Sequence, residues 1–332
     1  VLAAQETEKS NGRLILLIIF AFSILYRSLL LYRLVYPPGP DLGLHNSIIN
    51  SLSFYGDFVY NHHHMGGGVS LTHPGFHIFT YSLMIFTGIP DFLAQSIVGL
   101  LFSSLMVLIA FLLTDKVLGV SPASLIAAFL AAISMSDIEM LIWGGYPNVV
   151  ALTLIPLVYY VWLREDYPLK TSVLTTSILI GAIVITHSLS TFVFGSIVAP
   201  FIVYELFKSR KERGERRTFF SHLLSIFIGL LISLPFMVKM VPLYVKNVYS
   251  YMSARELNEI ERGIILTRKI PLELILLTFI PFFSFFLFSK RYRGKFLDKT
   301  SLLFGLWVLI PVLLTQSFIF GLYIDYYRLL YF

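Results

Sequence analysis

The chain has 332 residues, 57% of them hydrophobic and only 13% charged, with a mean hydropathy of +0.79. A water-soluble domain carries about a quarter charged residues, so this composition defines an integral membrane protein. The net charge of +6 is gathered in clusters between apolar runs, a topology signal rather than a nucleic-acid footprint, and the absence of cysteine excludes disulfides, thiolate metal sites and cysteine nucleophiles.

Lys9 and Arg13 precede the first apolar run, 14–36. That run is long enough to cross a hydrocarbon core of about 30 Å, and it lacks the small-residue cleavage site of a signal peptide. Positive flanks stay inside, so the following loop emerges outside. This loop, 37–75, is the first long polar interruption, dense in histidine and carrying two aspartates and the triplet Gly66-Gly67-Gly68. Further apolar runs cover 76–89, 92–113, 120–136, 147–163, 169–186, 188–207, 218–242, 271–289 and 301–323, with basic clusters at 208–217 and 289–295.

With the first loop outside and 208–217 inside, an odd number of crossings must separate them. Six runs lie between, and 76–89 is the shortest, about fourteen residues where a span needs about twenty. It reads as a juxtamembrane or partly re-entrant helix. Ser136–Glu139, Trp143–Asn148, the turn at His187, the 243–270 loop, Asp325 and Arg328 then fall on the same face as the first loop. We expect one polytopic domain over 1–332, with a first span at 14–36, an external loop with juxtamembrane helices at 37–91, and the remaining spans in 92–323. The chain stops within DYYRLLYF, and we expect a C-terminal part beyond Phe332.

The chemistry-bearing residues each admit two readings. Asp41 and His45 are four apart and share a face on a helix. Asp41 is either a general base toward a hydroxyl or the N-cap that Pro-Gly-Pro-Asp favours. Asp137 and Glu139 are two apart; in an extended segment they would point the same way and form a carboxylate pair suited to Mg²⁺ or Mn²⁺. In a solvated connector they would do nothing. His62, His63 and His64, with His73 and His77 beyond, are either Zn²⁺ ligands or a glycine-rich polar loop with a histidine touching a phosphate or metal. The loop is the better fit, because three consecutive imidazoles rarely face one ion.

Gly144-Gly145-Tyr146-Pro147 reads as a turn into a helix, whose N-terminus could take a phosphate or simply complete a turn; Tyr146 and Asn148 are candidate substrate contacts there. His187 interrupts an apolar stretch and is either a functional group or the mark of a turn. Arg27 and Arg33, in the outer half of the first span, either snorkel to headgroups or pair with a lipid phosphate. The 243–270 loop carries a capping-box pattern from Ser253 to Glu256, followed by a short amphipathic stretch with Arg255, Arg262 and Arg268. With Arg328, these are candidate partners for anionic groups, unless the loop is a mere connector.

Pro40-Asp41, His45, Gly56 and His73-Pro74-Gly75-Phe76, set in a loop after the first span, resemble the GT-C superfamily of membrane glycosyltransferases that use polyprenyl-phosphate-linked sugars. Asp137-Ile138-Glu139 resembles the second acidic motif of oligosaccharyltransferases. WGGYPNVVALTLIPL and THSLSTF are similar to archaeal and bacterial members of the superfamily, including membrane proteins related to pyruvoyl-tetrahydropterin synthase. The resemblance covers 14–207 well and the rest loosely. Two departures stand out: Asp41 is followed by Leu42 where protein mannosyltransferases and aminoarabinose transferases carry Asp-Glu, and no Trp-Trp-Asp motif is present.

The resemblance implies an all-α membrane bundle of GT-C type with about nine or ten transmembrane helices. It implies an inverting transferase at the external face of the cell membrane, moving a sugar from a polyprenyl phosphate or diphosphate to an acceptor hydroxyl with Asp41 as base. His45, His73, His187, Tyr146, Asn148, Arg255, Arg262 and Arg328 would hold substrate. Asp137, Glu139 and His63 would hold a divalent cation, Mg²⁺ or Mn²⁺ before Zn²⁺. The partners would be a lipid-linked sugar and membrane lipids, with no nucleic acid. The alternatives are a scaffold that keeps the fold without catalysis, and a metal or solute transporter using the histidine-rich loop.

Overall fold

The structure is a computed structural model that describes residues 2–33, 36–59, 70, 72–119, 121–164, 166–254, 299–315 and 331–332, with side chains from Asn11 onward and not at 244 or 247–254. All regular structure among these residues is helical. The elements are α1 (Leu2–Leu31), α2 (Leu42–Tyr55), α3 (Gly75–Thr87), α4 (Asp91–Leu118), α5 (Ser121–Ala132), α6 (Met135–Trp143), α7 (Tyr146–Leu163), α8 (Leu169–Thr186), α9 (Ser188–Lys211), α10 (Glu215–Ala254) and α11 (Lys299–Leu314).

Seven stretches among the described residues are long and apolar enough to cross a membrane: 11–31, 91–118, 121–143, 146–163, 169–186, 188–211 and 215–243. The first ends at Leu31, short of the expected Tyr36, ahead of the Pro37-Pro38 pair that disfavours helix in the residues before it. α3 has only 13 residues, so it is the short helix expected at 76–89, and five long stretches lie between it and the 208–217 cluster. Of the expected spans near the C-terminus, 271–289 lies outside the described residues and 301–323 is described only as the 16-residue α11.

The chain divides into two compact units. One comprises 1–191 with 220–240, the other 192–219 with 241–332. In the first unit α7 is the inner helix: 89% of its apolar window is buried, against 17–39% for the other spans. α4 and α8 flank it, and α4 also packs against α1, α5 and α3. A helix apolar all round belongs inside a bundle, whereas Leu14, Leu25, Phe86 and Val238 leave large apolar areas exposed, as a lipid-facing surface does. Small residues permit close helix approach where lipid supplies no hydrophobic drive: a Cβ on Gly229 would lie 2.8 Å from Ile180, and one on Gly181 would lie 2.9 Å from Ile232. In the second unit, Lys299 Nζ meets a Glu205 carboxylate oxygen at 3.1 Å, an ion pair almost wholly out of solvent.

Candidate functional site

The fold turns on a break in the third span. α5 stops at Ala132, Ile133 and Ser134 leave the helical path, and α6 starts at Met135. Helix resumes after Ser134, which takes the N-cap position without a side-chain cap bond, and Asp137 falls in the first turn where negative charge is favoured. This overturns the extended segment expected over Ser136–Glu139. On a helix, residues two apart diverge by roughly 200°, so Asp137 and Glu139 do not converge. Glu139 is exposed, while Asp137 turns inward.

Asp137 meets Arg27, which is 1% exposed and neither snorkels nor reaches a headgroup. Arg27 Nη2 donates to Asp137 Oδ2 at 2.7 Å and Nε donates to the same oxygen at 3.2 Å. Its remaining N–H groups go to the Ala131 carbonyl at 2.9 Å, the Ala132 carbonyl at 2.8 Å and the Ser23 hydroxyl. All five guanidinium donors are thereby used. Ser103 Oγ adds a hydrogen bond to Asp137 Oδ2, so α1, α4, the end of α5 and the start of α6 meet at one charge pair.

The other end of α6 faces the first loop. Gly144 caps α6 with φ +91°, and Gly39 runs across it with φ +131°, a conformation reserved for glycine. A Cβ on Gly39 would lie 2.5 Å from the Trp143 carbonyl oxygen and 2.8 Å from the Gly144 nitrogen, so the two backbones touch. This contact delivers Asp41 to the start of α2, beside Gly144. Asp41 occupies the N-cap position without a side-chain cap hydrogen bond, so the capping expected of its carboxylate is not made. At the α7 N-terminus Tyr146 and Asn148 are buried, and the Asn148 and Val149 N–H groups both donate to the Gly145 carbonyl as the first bonds of the helix.

α2 and α3 bring buried histidines together. His45 Nδ1 and His77 Nε2 are 3.0 Å apart, His77 Nδ1 lies 3.2 Å from the His73 carbonyl, and His73 Nδ1 lies 2.7 Å from the Val184 carbonyl. A carbonyl only accepts, so His73 and His77 each carry a proton on Nδ1. Neutral His77 then accepts at Nε2, and His45 must donate from Nδ1. His45 Nε2 is buried and makes no hydrogen bond of good geometry among the described residues. Burial holds the His45 imidazole down at about 4 despite the Gly144 backbone beside it. His77 is pushed well below its ordinary value by burial and by His45, and burial lowers His73 against the Val184 carbonyl. The His-Pro-Gly element is thus a docking piece: His73 ties to α8, and a Cβ on Gly75 would lie 2.7 Å from the Thr186 hydroxyl.

His187 ends α8, and its Nδ1 accepts from the Ser190 N–H at 3.2 Å. Ser190 Oγ donates to Asn148 Oδ1 at 2.9 Å, and Asn148 Nδ2 lies 3.1 Å from Met140 Sδ. Asn148 is therefore fully engaged in joining α6, α7 and α9. Tyr146 is wholly buried; its ring fills the space over Gly99 and its hydroxyl has no partner. His63, Arg255, Arg262, Arg268 and Arg328 lie outside the described residues. Sequence reasoning missed the pairing of Arg27 with Asp137 and of His45 with His77. The signals were the i,i+4 pairs Ser23–Arg27 and His73–His77, each marking a polar stripe on an apolar helix.

The expected cation is tested by these same groups. Asp137 is paired, Glu139 is exposed away from it, and Asp41 lies at the opposite end of α6, about 10 Å along the axis at 1.5 Å per residue. Among the described residues no three His, Asp or Glu side chains gather where one ion could sit. Asp137 and Glu139 do not fit a shared metal site, and His63, the third expected ligand, lies outside the described residues.

No protein-family model matches the sequence, and no curated protein matches it. Solved structures do. An Archaeoglobus fulgidus oligosaccharyltransferase in complex with Zn and sulfate superimposes with a TM-score of 0.59 at 16% identity, covering 96% of this chain and 47% of that one. Its apo form gives 0.53 at 13% identity, over 96% and 53%. The archaeal oligosaccharyltransferase AglB from Archaeoglobus fulgidus, in complex with an inhibitory peptide and a dolichol-phosphate, gives 0.51 at 17% identity, over 95% and 38%. The class is thus a multi-span helical membrane protein whose fold resembles the membrane domain of archaeal oligosaccharyltransferase. The chain spans about half or less of the length of the solved proteins it matches.

Proposed function

We propose that this chain is a GT-C-type glycosyltransferase that moves a sugar from a polyprenyl phosphate or diphosphate to an acceptor hydroxyl at the external face of the cell membrane. The observation that carries the reading is the placement of Asp41: the Gly39–Gly144 contact holds it at the head of α2, in a fold that resembles that of oligosaccharyltransferases. The dolichol-phosphate bound to the archaeal relative supports a lipid-linked donor. In the step we propose, the acceptor O–H gives its proton to the Asp41 carboxylate as its oxygen bonds to the anomeric carbon. The bond from that carbon to the phosphate oxygen breaks, the lipid phosphate leaves with the electron pair, and the sugar is inverted.

His45 stands one turn from Asp41, and burial keeps its imidazole neutral, suited to positioning the Asp41 segment rather than to taking a proton. The leaving phosphate needs cations, and Arg255, Arg262 and Arg328 remain our candidates. The test is transfer of radiolabelled sugar from a polyprenyl-phosphate donor by the purified full chain and its Asp41→Asn variant. Transfer by the parent and none by the variant is expected. Near-parental transfer by the variant removes Asp41 from the mechanism.

One observation favours a second reading, a scaffold subunit with the fold and no chemistry: Asp137, the other acidic position, is engaged by Arg27. Absence of transfer by the parent chain with any lipid-phosphate sugar would favour it.

A further inference from the structure

We infer that Asp137 is the fixed counter-ion of Arg27, and that the chain's transfer chemistry runs without a divalent ion held by Asp137 and Glu139. The word transfer rests on the reading above; the assignment of Asp137 does not.

Mg²⁺ and Mn²⁺ need several oxygen ligands converging at about 2.0–2.2 Å in near-octahedral array. Among the described residues that array does not assemble around Asp137, whose Oδ1 is the one carboxylate oxygen outside the Arg27 and Ser103 bonds. Oδ2 already accepts from Arg27 Nε, Arg27 Nη2 and Ser103 Oγ, so it lies in the plane of the guanidinium. The next acidic residue, Glu139, projects from the opposite side of α6 into the exposed surface. Asp41 sits beyond the other end of that helix, beside Gly144.

Displacing the pair is costly too. Arg27 is fully enclosed, and three groups besides Asp137 hold it, the Ala131 and Ala132 carbonyls and the Ser23 hydroxyl, while Ser103 holds the carboxylate. A metal ion taking Asp137 would leave that guanidinium buried without its anion, and would place a second positive charge within a few ångströms in a low-dielectric surround. The carbonyls Arg27 binds are those freed where α5 ends, so it also caps the break that makes α6 a separate helix. The sequence spacing that suggests a carboxylate pair therefore marks a strut across four helical segments.

Two measurements on the full chain in detergent decide this. Titration with Mn²⁺, followed by the electron paramagnetic resonance of the free ion, should show none bound that Glu139→Gln removes; Glu139 is exposed, so this variant folds whatever the outcome. Transfer in excess EDTA should equal transfer in Mg²⁺ within about twofold. One Mn²⁺ per chain that Glu139→Gln abolishes, or a loss of about a hundredfold in EDTA restored by Mg²⁺, overturns the inference. A chain that transfers nothing under either condition sinks the glycosyltransferase reading, and the Mn²⁺ titration alone then decides the role of Asp137.

Discussion

The two ends of α6 differ in what their polar groups have left to do. At its start every donor of Arg27 is spent and Asp137 carries three hydrogen bonds on one oxygen. Beyond its end, Asp41 lies beside Gly144 at the head of α2, one turn from the buried His45. A short helix thus separates a closed electrostatic joint from the loop that carries Asp41. The closed joint holds Asp137 in the fold, which is why Asp41 and not Asp137 is placed in the reaction.

The largest effect should come from breaking the joint. Arg27→Met leaves Asp137 facing an apolar side chain and two carbonyls of the α5 end without donors. Unfolding of the detergent-solubilised chain should show a loss of about 3–5 kcal/mol, the range for removing one partner of a buried pair. Replacing both charges, Arg27→Met with Asp137→Leu, should recover most of it. A single variant as stable as the parent would mean the pair is not closed as described.

At the other end, Gly39→Ala forces a Cβ into the Trp143 carbonyl at φ +131°. We expect a cost of about 2–3 kcal/mol, with transfer falling further than stability because the displaced segment carries Asp41. Equal losses would separate this contact from function.

The imidazole pair gives a smaller effect with a definite sign. His45 titrates near 4 when folded and near 6.5 when unfolded, and His73 and His77 shift the same way. Between these values the unfolded chain binds more protons, so stability rises with pH. It should be fully present above about pH 6.5 and erode as pH falls toward 4. His77→Phe keeps the volume and removes the acceptor of His45 Nδ1, at about 1–2 kcal/mol near neutral pH. The variant should also flatten the acid limb, and an unchanged limb would place that titration elsewhere.

What the sequence revealed follows from the kind of signal each element carries. The spans were legible because twenty apolar residues have one use, and the 13-residue α3 was legible as too short to cross. The break at Ile133 was not, since the apolar run 120–136 continues through it and Ser136–Glu139 reads as an extended segment or connector rather than the start of a helix. The placement of Asp41 beside the Trp143–Gly145 turn depends on a backbone contact through Gly39, which leaves no trace in periodicity. Arg27 was misread because a basic residue near the end of a span usually snorkels, and only the partner 110 residues away decides otherwise.

Glu139 should give the smallest effect and still sharpens the contrast, because it belongs to the helix that joins both ends and takes part in neither. It is exposed on the side of α6 away from Asp137, and no shared cluster of acids or histidines includes it among the described residues. Glu139→Gln should therefore shift unfolding by no more than about 0.5 kcal/mol, the range of an ordinary surface change. Transfer by Glu139→Gln should match the parent at saturating donor. A fall in kcat with stability intact would show that α6 presents a working carboxylate on its outer side, and would move the reacting centre from the end of the helix to its flank.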